Sequence, residues 1–253
     1  MRHLLCHLQL HVHQGKIVNL IILVEEDFQT DRKHALLEGR RAIHLQAVLR
    51  ARLGTTVRVG LLNGPMGTGV VVAQTDAQVR LKVDLSETPP PPWPATLLVA
   101  LPRPKSLKRI LQTAAAFGVE RLVLMESWRV EKSFWGSTLL EPAALNEQLI
   151  LGLEQGCGTR LPDVLIRRRF RPFAEDELPA MASGRLALLA HPRSGTLCPA
   201  RVQQPFCLAF GPEGGWTPFE VELFTQGGFV PVHLGDRILR VEQAVPAFLG
   251  RLV

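Results

Sequence analysis

Tyrosine is absent from the 253-residue sequence, and cysteine occurs only four times. The cysteines (Cys6, Cys157, Cys198 and Cys207) form no CxxC pair, and none lies at zinc-site spacing from a histidine. A disulfide framework and a structural metal site are therefore disfavoured, and we expect free thiols in a reducing cytoplasm. Without tyrosine, stacking on a nucleic-acid base must use Phe, Trp, His or Arg.

Long apolar runs are also absent. The longest run near the start covers residues 18–24, is interrupted by Asn19 and is followed by Glu25, Glu26 and Asp27. It is too short to span a bilayer, and basic, apolar and small-residue regions do not follow one another as in a signal peptide. We therefore expect no membrane association.

Acidic residues are outnumbered by basic ones, 23 to 29, which gives a net charge of +6. Such an excess favours a polyanionic partner, and nucleic acid is the commonest one. Charge alone supports RNA or DNA only modestly, because many basic proteins bind no nucleic acid. The apolar fraction of 46% and the charged fraction of 21% are those of an ordinary globular protein.

Residues 1–18 differ from the rest of the chain. His3, His7, His11 and His13 recur there every two to four positions, without turn signals between them. A metal-binding tract is one interpretation. The interpretation that we favour is an N-terminal extension of the folded protein, which we expect to be poorly ordered.

A proline-rich segment over residues 86–94 divides the remaining chain. Five of its last six residues are proline, which suits a stiff spacer between domains. The elements predicted before it are strands over residues 19–24, 56–62, 69–74 and 78–84, and a helix over residues 33–53 closed by Gly54. One helix among closely spaced strands predicts a small β-barrel in residues 19–88, a type that often binds RNA.

After the spacer, strands alternate with helices. The predicted strands cover residues 96–101, 121–125, 186–190, 206–210 and 230–233, and the predicted helices cover residues 104–117, 141–155, 218–226 and 241–252. This alternation predicts an α/β domain in residues 89–253, with a parallel sheet covered by helices on both faces.

Three strand-to-helix loops in the last third of the chain are candidate ligand loops. They are residues 189–195 (LAHPRSG), residues 210–216 (FGPEGGW) and residues 234–244 (LGDRILRVEQA). Ligands of open α/β sheets bind at the carboxyl ends of strands, and glycines there let a ligand approach the backbone. Each loop alone is equally compatible with a tight turn or with surface charge, and the lone His191 has no acid–base role in our interpretation. Consecutive loops of this kind favour a shared pocket.

Basic side chains suitable for phosphate contacts occur in two other segments. Lys105, Lys108 and Arg109 follow Arg103 with the spacing of one helical face. Arg129 and Lys132 belong to a loop that also contains Phe134 and Trp135, which could stack on an unpaired base. A solvated basic face and a subunit contact are the ordinary alternatives.

The motifs together resemble the ribosomal RNA small subunit methyltransferase E family of the SPOUT superfamily. Family members carry GPEGG followed by an aromatic residue and then a glutamate, as in residues 211–216 with Glu220, and LGxRILRxETA, as in residues 234–244. Further matches are Lys105, Gly118-Val119, Glu154-Gln155, His191-Pro192 and, in the first domain, His44 and Val48-Leu49-Arg50. The resemblance covers residues 19–253.

The resemblance implies a PUA-like RNA-binding barrel, a SPOUT domain with a trefoil knot, and a homodimer. It implies methylation of N3 of a uridine in small-subunit (16S) ribosomal RNA, with S-adenosylmethionine as the cofactor and no metal. The implied cofactor-binding residues are Leu189, His191, Phe210, Gly211, Glu213, Gly214, Gly215, Leu234, Gly235, Ile238, Leu239 and Arg240. The implied catalytic residues are Arg240, which stabilises the uracil anion, and Glu242, which orients or acts as a base. The residues expected to bind RNA are Arg50, Arg103, Lys105, Lys108, Arg109, Arg129 and Lys132.

Two departures from the family pattern lie in the cofactor loops. Trp216 replaces the usual phenylalanine, and Gln243 replaces the usual threonine. They leave the glycines intact but affect the substrate side. The alternative functions are therefore methylation of another ribosomal or transfer RNA nucleotide, and a non-catalytic RNA-binding assembly factor.

Overall fold

The computed structural model describes residues 20–253, so the predictions for residues 1–18 lie outside the described residues. Its strands form a five-stranded and a six-stranded sheet. The first sheet contains β1 (Ile21–Leu23), β2 (His34–Glu38), β3 (Thr56–Leu61), β4 (Met66–Gln74) and β5 (Gln78–Glu87). The second contains β6 (Trp93–Ala100), β7 (Val119–Met125), β8 (Asp163–Arg167), β9 (Leu186–Ala190), β10 (Phe206–Phe210) and β11 (Val230–Val232). The α-helices are α1 (Gly39–Ile43), α2 (Pro104–Ala116), α3 (Pro142–Gly156), α4 (Phe170–Pro172), α5 (Leu178–Ala182), α6 (Pro218–Gln226) and α7 (Val241–Leu252).

The first sheet has the strand order β1-β3-β4-β5-β2, and all pairs except β1–β3 are antiparallel. The helix predicted over residues 33–53 is wrong. Its first part is the edge strand β2, in which Ala35 and Leu37 are buried at the period of two that a half-buried strand requires. Only α1 and a π-helical turn over His44–Val48 are helical, so Gly54, with φ +83°, forms a turn before β3 and caps no helix.

The second sheet has the order β11-β9-β10-β6-β7-β8, and every pair in it is parallel. The predicted parallel sheet is therefore confirmed. Successive residues of a strand point to opposite faces, and Leu97 and Leu98 of β6 are both fully buried. Both faces of the central strand are thus covered, as expected for an α/β layer structure.

Sequence periodicity did not reveal the edge strand β8 or the helical segments between Phe170 and Ala182. The side chains of β8 are at most half-buried, and the strand carries Asp163 and Arg167, so its apolar signal is weak. The spacer is shorter than predicted: β5 continues to Glu87, and β6 already begins at Trp93.

The end of α3 connects the two sheets. The carboxylate of Glu154 is almost fully buried and accepts hydrogen bonds from the Arg40 guanidinium at 2.7 and 3.1 Å. The Glu154 backbone carbonyl accepts from the Leu20 N–H at 3.2 Å, next to β1. The loop after α3 adds a bond from the Thr159 hydroxyl to the Gly64 carbonyl at 2.8 Å. These contacts fix the first sheet against the helical layer of the second.

Two further findings concern the described residues alone. Cys157, Cys198 and Cys207 are free thiols, as predicted, and burial raises the pKa of Cys198 to about 11. No helix in this part of the chain combines the length and the apolar character needed to cross a membrane.

Candidate functional site

The loops that follow neighbouring parallel strands meet at the carboxyl ends of the strands of the six-stranded sheet. β9, β10 and β11 are adjacent, and the segments that follow them border a cleft of about 800 Å³. A cleft at the carboxyl ends of parallel strands is the usual ligand site of open α/β sheets, and its volume suits a small organic ligand.

Most of the predicted cofactor residues border this cleft: His191, Phe210, Gly211, Glu213, Gly214, Gly215, Leu234, Gly235, Ile238, Leu239 and Arg240. Leu189 does not, because it is fully buried inside β9. The neighbouring Ala190 borders the cleft in its place. The structure therefore joins three segments that are distant in sequence, as the shared-pocket hypothesis required.

The loop after β10 is held by its tryptophan. A Cβ on Gly211 would lie 3.0 Å from the Trp216 indole, so glycine is needed for this close packing. The indole N–H donates to the Ala190 carbonyl at 3.2 Å and thereby ties the second loop to the first. Gly215 has φ +73° and open space where a Cβ would stand. Trp216 thus has a structural role that spans two of the three loops.

The loop after β11 supplies both an approachable backbone and apolar surface. Gly235 has φ +120°, a conformation that residues with a Cβ rarely adopt, and its N–H donates to His233 Nδ1 at 3.0 Å. Ile238 and Leu239 expose 78% and 40% of their surface while bordering the cleft. Exposed aliphatic side chains on a cleft wall suit a flat apolar ligand group.

The two catalytic candidates lie at the start of α7 and differ in their surroundings. Arg240 is exposed, borders the cleft and has no ion-pair partner among residues 20–253. Glu242 is 7% exposed at its side chain and lies 3.5 Å from the Arg103 guanidinium. Arg103 also donates from Nε to the Ser106 hydroxyl at 3.1 Å and from its backbone N–H to Glu213 at 3.3 Å. Arg103 therefore connects the third loop with the second.

The environment of Glu242 favours its charged form. Burial raises its pKa, but hydrogen bonds from its own backbone N–H and from the Ser106 hydroxyl, together with the charge of Arg103, outweigh burial and lower the pKa. Glu242 is therefore ionised at neutral pH, which suits a residue that orients Arg103 better than one that accepts a proton.

We expect the carboxyl of Glu242 to titrate below its ordinary value of 4.5, measured by NMR of protein with ¹³C-labelled glutamate side chains. Because the folded-state pKa is lowered, the pairing contributes stability above the unfolded-state pKa and loses it as the pH falls through the folded-state value. Arg103→Gln should raise the midpoint. Arg121→Gln, which changes an arginine at the opposite end of the strands, should leave the Glu242 midpoint unchanged. Equal midpoints in the wild type and both variants would contradict this account.

The predicted RNA-binding residues do not all lie together. Only Arg103 and Arg129 border the cleft, and Arg129 Nη1 donates to the Gly214 carbonyl at 2.6 Å. Lys105, Lys108 and Arg109 are exposed on α2, Lys132 is exposed on a short turn, and Arg50 is exposed in the first sheet region.

Sequence reasoning assigned no site role to several contributors. Arg193 and Arg237 border the cleft, and their positions inside the loop motifs were the available signal. Glu220, buried beneath the loop after β10, accepts from the Ser127 hydroxyl and the Trp128 N–H. The sequence named Glu220 as the glutamate that follows the GPEGG motif but not its role as an acceptor, for which the Thr217-to-Glu220 capping spacing was an available signal. Residues 20–253 contain no group of three or more His, Cys, Asp or Glu arranged to hold a metal.

Comparison with known proteins adds to this geometry. A family model described as "RNA methyltransferase domain" matches residues 89–253, which include the whole six-stranded sheet and its cleft. The six-stranded sheet thus belongs to an RNA methyltransferase domain.

Comparison with individual relatives identifies the family within the RNA methyltransferases. Ribosomal RNA small subunit methyltransferase E of Treponema pallidum is 27% identical over 91% of this chain and 88% of its own length. The protein of the same name from Synechocystis is 31% identical over 83% of this chain and 69% of its own length. The chain belongs to the ribosomal RNA small subunit methyltransferase E family. The crystal structure of the Neisseria gonorrhoeae member, bound to S-adenosyl methionine, has the same fold, with a TM-score of 0.67 and 24% identity over 92% of this chain and 95% of its own.

Proposed function

We propose that this protein transfers the methyl group of S-adenosylmethionine to N3 of a uridine in small-subunit (16S) ribosomal RNA. The observation that carries the proposal is the cleft itself, which is bordered by Arg240, without an ion-pair partner among residues 20–253, and by the Arg103–Glu242 pair. Membership of the family supports the same reaction class.

S-adenosylmethionine is the cofactor, and the residues of the cleft fit it. Ile238 and Leu239 offer apolar surface to an adenine ring, and the open positions at Gly215 and Gly235 let ribose and amino-acid groups reach the backbone. Glu213, held by the Arg103 N–H, has further lone pairs for hydroxyl groups. His191, Phe210, Gly211, Gly214 and Leu234 complete the proposed binding surface, with Leu189 supporting it from within β9.

The bound cofactor supplies an electrophilic methyl group. The N3 atom of uracil lies between two carbonyls and carries a weakly acidic proton, which must leave before the nitrogen lone pair can attack. Arg240 stabilises the negative charge that then develops on the carbonyl oxygens. Glu242 holds Arg103 at the rim, so that the base is oriented. N3 would gain the methyl group as the methyl–sulfur bond breaks, its proton would have passed to bulk water as the base entered the cleft, and S-adenosylhomocysteine would be the other product.

RNA binding is proposed to involve both parts of the chain. Residues 19–88 would form a PUA-like barrel that contributes Arg50, and residues 89–253 a SPOUT domain with a trefoil knot. The other proposed phosphate contacts are Arg103, Lys105, Lys108, Arg109, Arg129 and Lys132. The net charge of +6 supports a polyanionic substrate. We further propose a cytoplasmic homodimer.

The test uses small subunits purified from cells that lack this protein, incubated with the protein and labelled S-adenosylmethionine. We expect label in 3-methyluridine after nucleoside mass spectrometry, and a single primer-extension stop, because an N3 methyl blocks base pairing. Label in another nucleoside would overturn the N3 assignment. No label at all, from protein that binds the cofactor in calorimetry, would overturn the activity.

A further inference from the structure

One aromatic side chain near the cleft is exposed to an unusual degree. Trp128 follows β7 and exposes 85% of its surface, more than any other large apolar residue among those described. A tryptophan normally buries most of its area, since its ring carries a large hydrophobic contribution. The exposure of Trp128 therefore needs an explanation.

A loose loop does not explain it, because the backbone at Trp128 is held on both sides. Its N–H donates to Glu220 at 2.8 Å, and the preceding Ser127 hydroxyl donates to the same carboxylate oxygen at 2.7 Å. The turn closes with a bond from the Val130 N–H to the Ser127 carbonyl at 3.0 Å, and Val130 is buried in the core. The fixed turn thus presents the indole to solvent.

The position of this turn relates the indole to the site. Arg129, the next residue, packs its side chain against Gly214 and borders the cleft. Trp128 therefore stands at the rim, immediately outside the pocket proposed for the cofactor and the target base.

The carboxyl ends of the strands beside the cleft are rich in exposed arginine. Arg103, Arg129 and the pair Arg168 and Arg169 follow the neighbouring strands β6, β7 and β8. Arg168 stacks on Trp135, 5.3 Å from its ring centroid.

In the loops that follow β6, β7, β8 and β10, the exposed acidic residues are Glu131 and Glu213. Glu126, whose carboxylate accepts a hydrogen bond from the Ser127 N–H, is half-buried. The carboxylates of Glu220 and Glu242 are buried and are already engaged, by the turn after β7 and by Arg103. The four exposed arginines outnumber the two exposed acidic residues, so this surface suits a phosphate backbone.

We propose that Trp128 stacks on an unpaired base of the substrate RNA that flanks the target nucleotide, while Arg168 and Arg169 contact the adjoining phosphates. This role rests on the proposed function, since it places the flanking nucleotide beside the base that enters the cleft. Stacking on a fixed indole holds single-stranded RNA without sequence readout and with little loss of side-chain freedom.

The test measures binding of a fluorescently labelled, unstructured oligouridine to the full chain. Trp128→Ala should raise Kd about tenfold, the usual effect of losing one stacked base. Trp128→Phe should restore most of the affinity. The matched control is Trp93→Ala, because Trp93 is also exposed but lies at the amino end of β6, opposite the strand ends that border the cleft. Its Kd should equal that of the wild type, and the cofactor affinity should be unchanged in all three variants.

Unchanged RNA affinity in Trp128→Ala would overturn the proposal, and so would equal losses in Trp128→Ala and Trp93→Ala. A shift of Trp128→Ala to a smaller species in size-exclusion chromatography would also overturn it, since the indole would then belong to a contact between copies of the chain. Trp128-dependent RNA binding without methyl transfer would support stacking and refute the proposed activity, so the two failures are distinguishable.

Discussion

Replacing Arg240 by alanine is expected to lower kcat for methyl transfer about 10²- to 10³-fold, the usual cost of removing one group that stabilises developing negative charge. Arg240 precedes α7, borders the cleft and has no ion-pair partner among the described residues, so its charge is available to the substrate. Kinetics on purified small subunits, with kcat and KM determined separately, measure the effect.

The separate changes in kcat and KM distinguish a transition-state role of Arg240 from a role in cofactor binding. A role in the transition state lowers kcat with little change in KM, whereas a role confined to holding the cofactor raises the KM for S-adenosylmethionine. Arg240→Lys retains the charge but not the two-pronged geometry, so its loss should be intermediate. Arg121→Ala is the matched control, because this arginine pairs with Asp163 at the far end of β7. Equal kcat in Arg240→Ala and Arg121→Ala would refute the assignment.

The elements that sequence patterns predicted well are those with continuous apolar runs and clear boundaries. β9, β10, α6 and α7 have the same bounds in the structure as in the prediction. Their runs end at proline, glycine or charged residues, which are strong local signals. The strand β2 was predicted as part of a helix because the apolar spacings in residues 33–53 are also compatible with a helix. Its strand conformation depends on pairing with β5, which the local sequence does not show.

The loops that border the cleft were also predictable, because the carboxyl ends of neighbouring parallel strands lie side by side. The partners within the site were not. Arg103 and Glu242 are 139 residues apart, and their pairing depends on how α2 lies against α7. The exposure of Trp128 likewise depends on a carboxylate 92 residues away. Local patterns carry no information on such distant pairs.

Replacing Glu220 by alanine is expected to lower the free energy of unfolding by about 3–5 kcal/mol, because several buried donors lose their acceptor at once. Glu220 is 1% exposed. It accepts hydrogen bonds from the Ser127 hydroxyl, the Trp128 N–H, and the N–H and hydroxyl of Thr217, at 2.7–2.8 Å. Two of these bonds cap α6 and two hold the turn after β7.

The expected loss corresponds to a Tm lower by roughly 10 °C for a chain of this size, measured by differential scanning calorimetry and by urea unfolding. Glu222→Ala is the matched control, because Glu222 lies on the same helix, is exposed, and has a carboxylate that accepts a single side-chain hydrogen bond among residues 20–253, from Gln226. Its effect should stay within about 0.5 kcal/mol. Glu220→Gln keeps one acceptor oxygen but turns an N–H₂ group towards the Thr217 donors, so its loss should lie between the two. A Tm for Glu220→Ala equal to that of Glu222→Ala would show that the carboxylate does not hold these loops together.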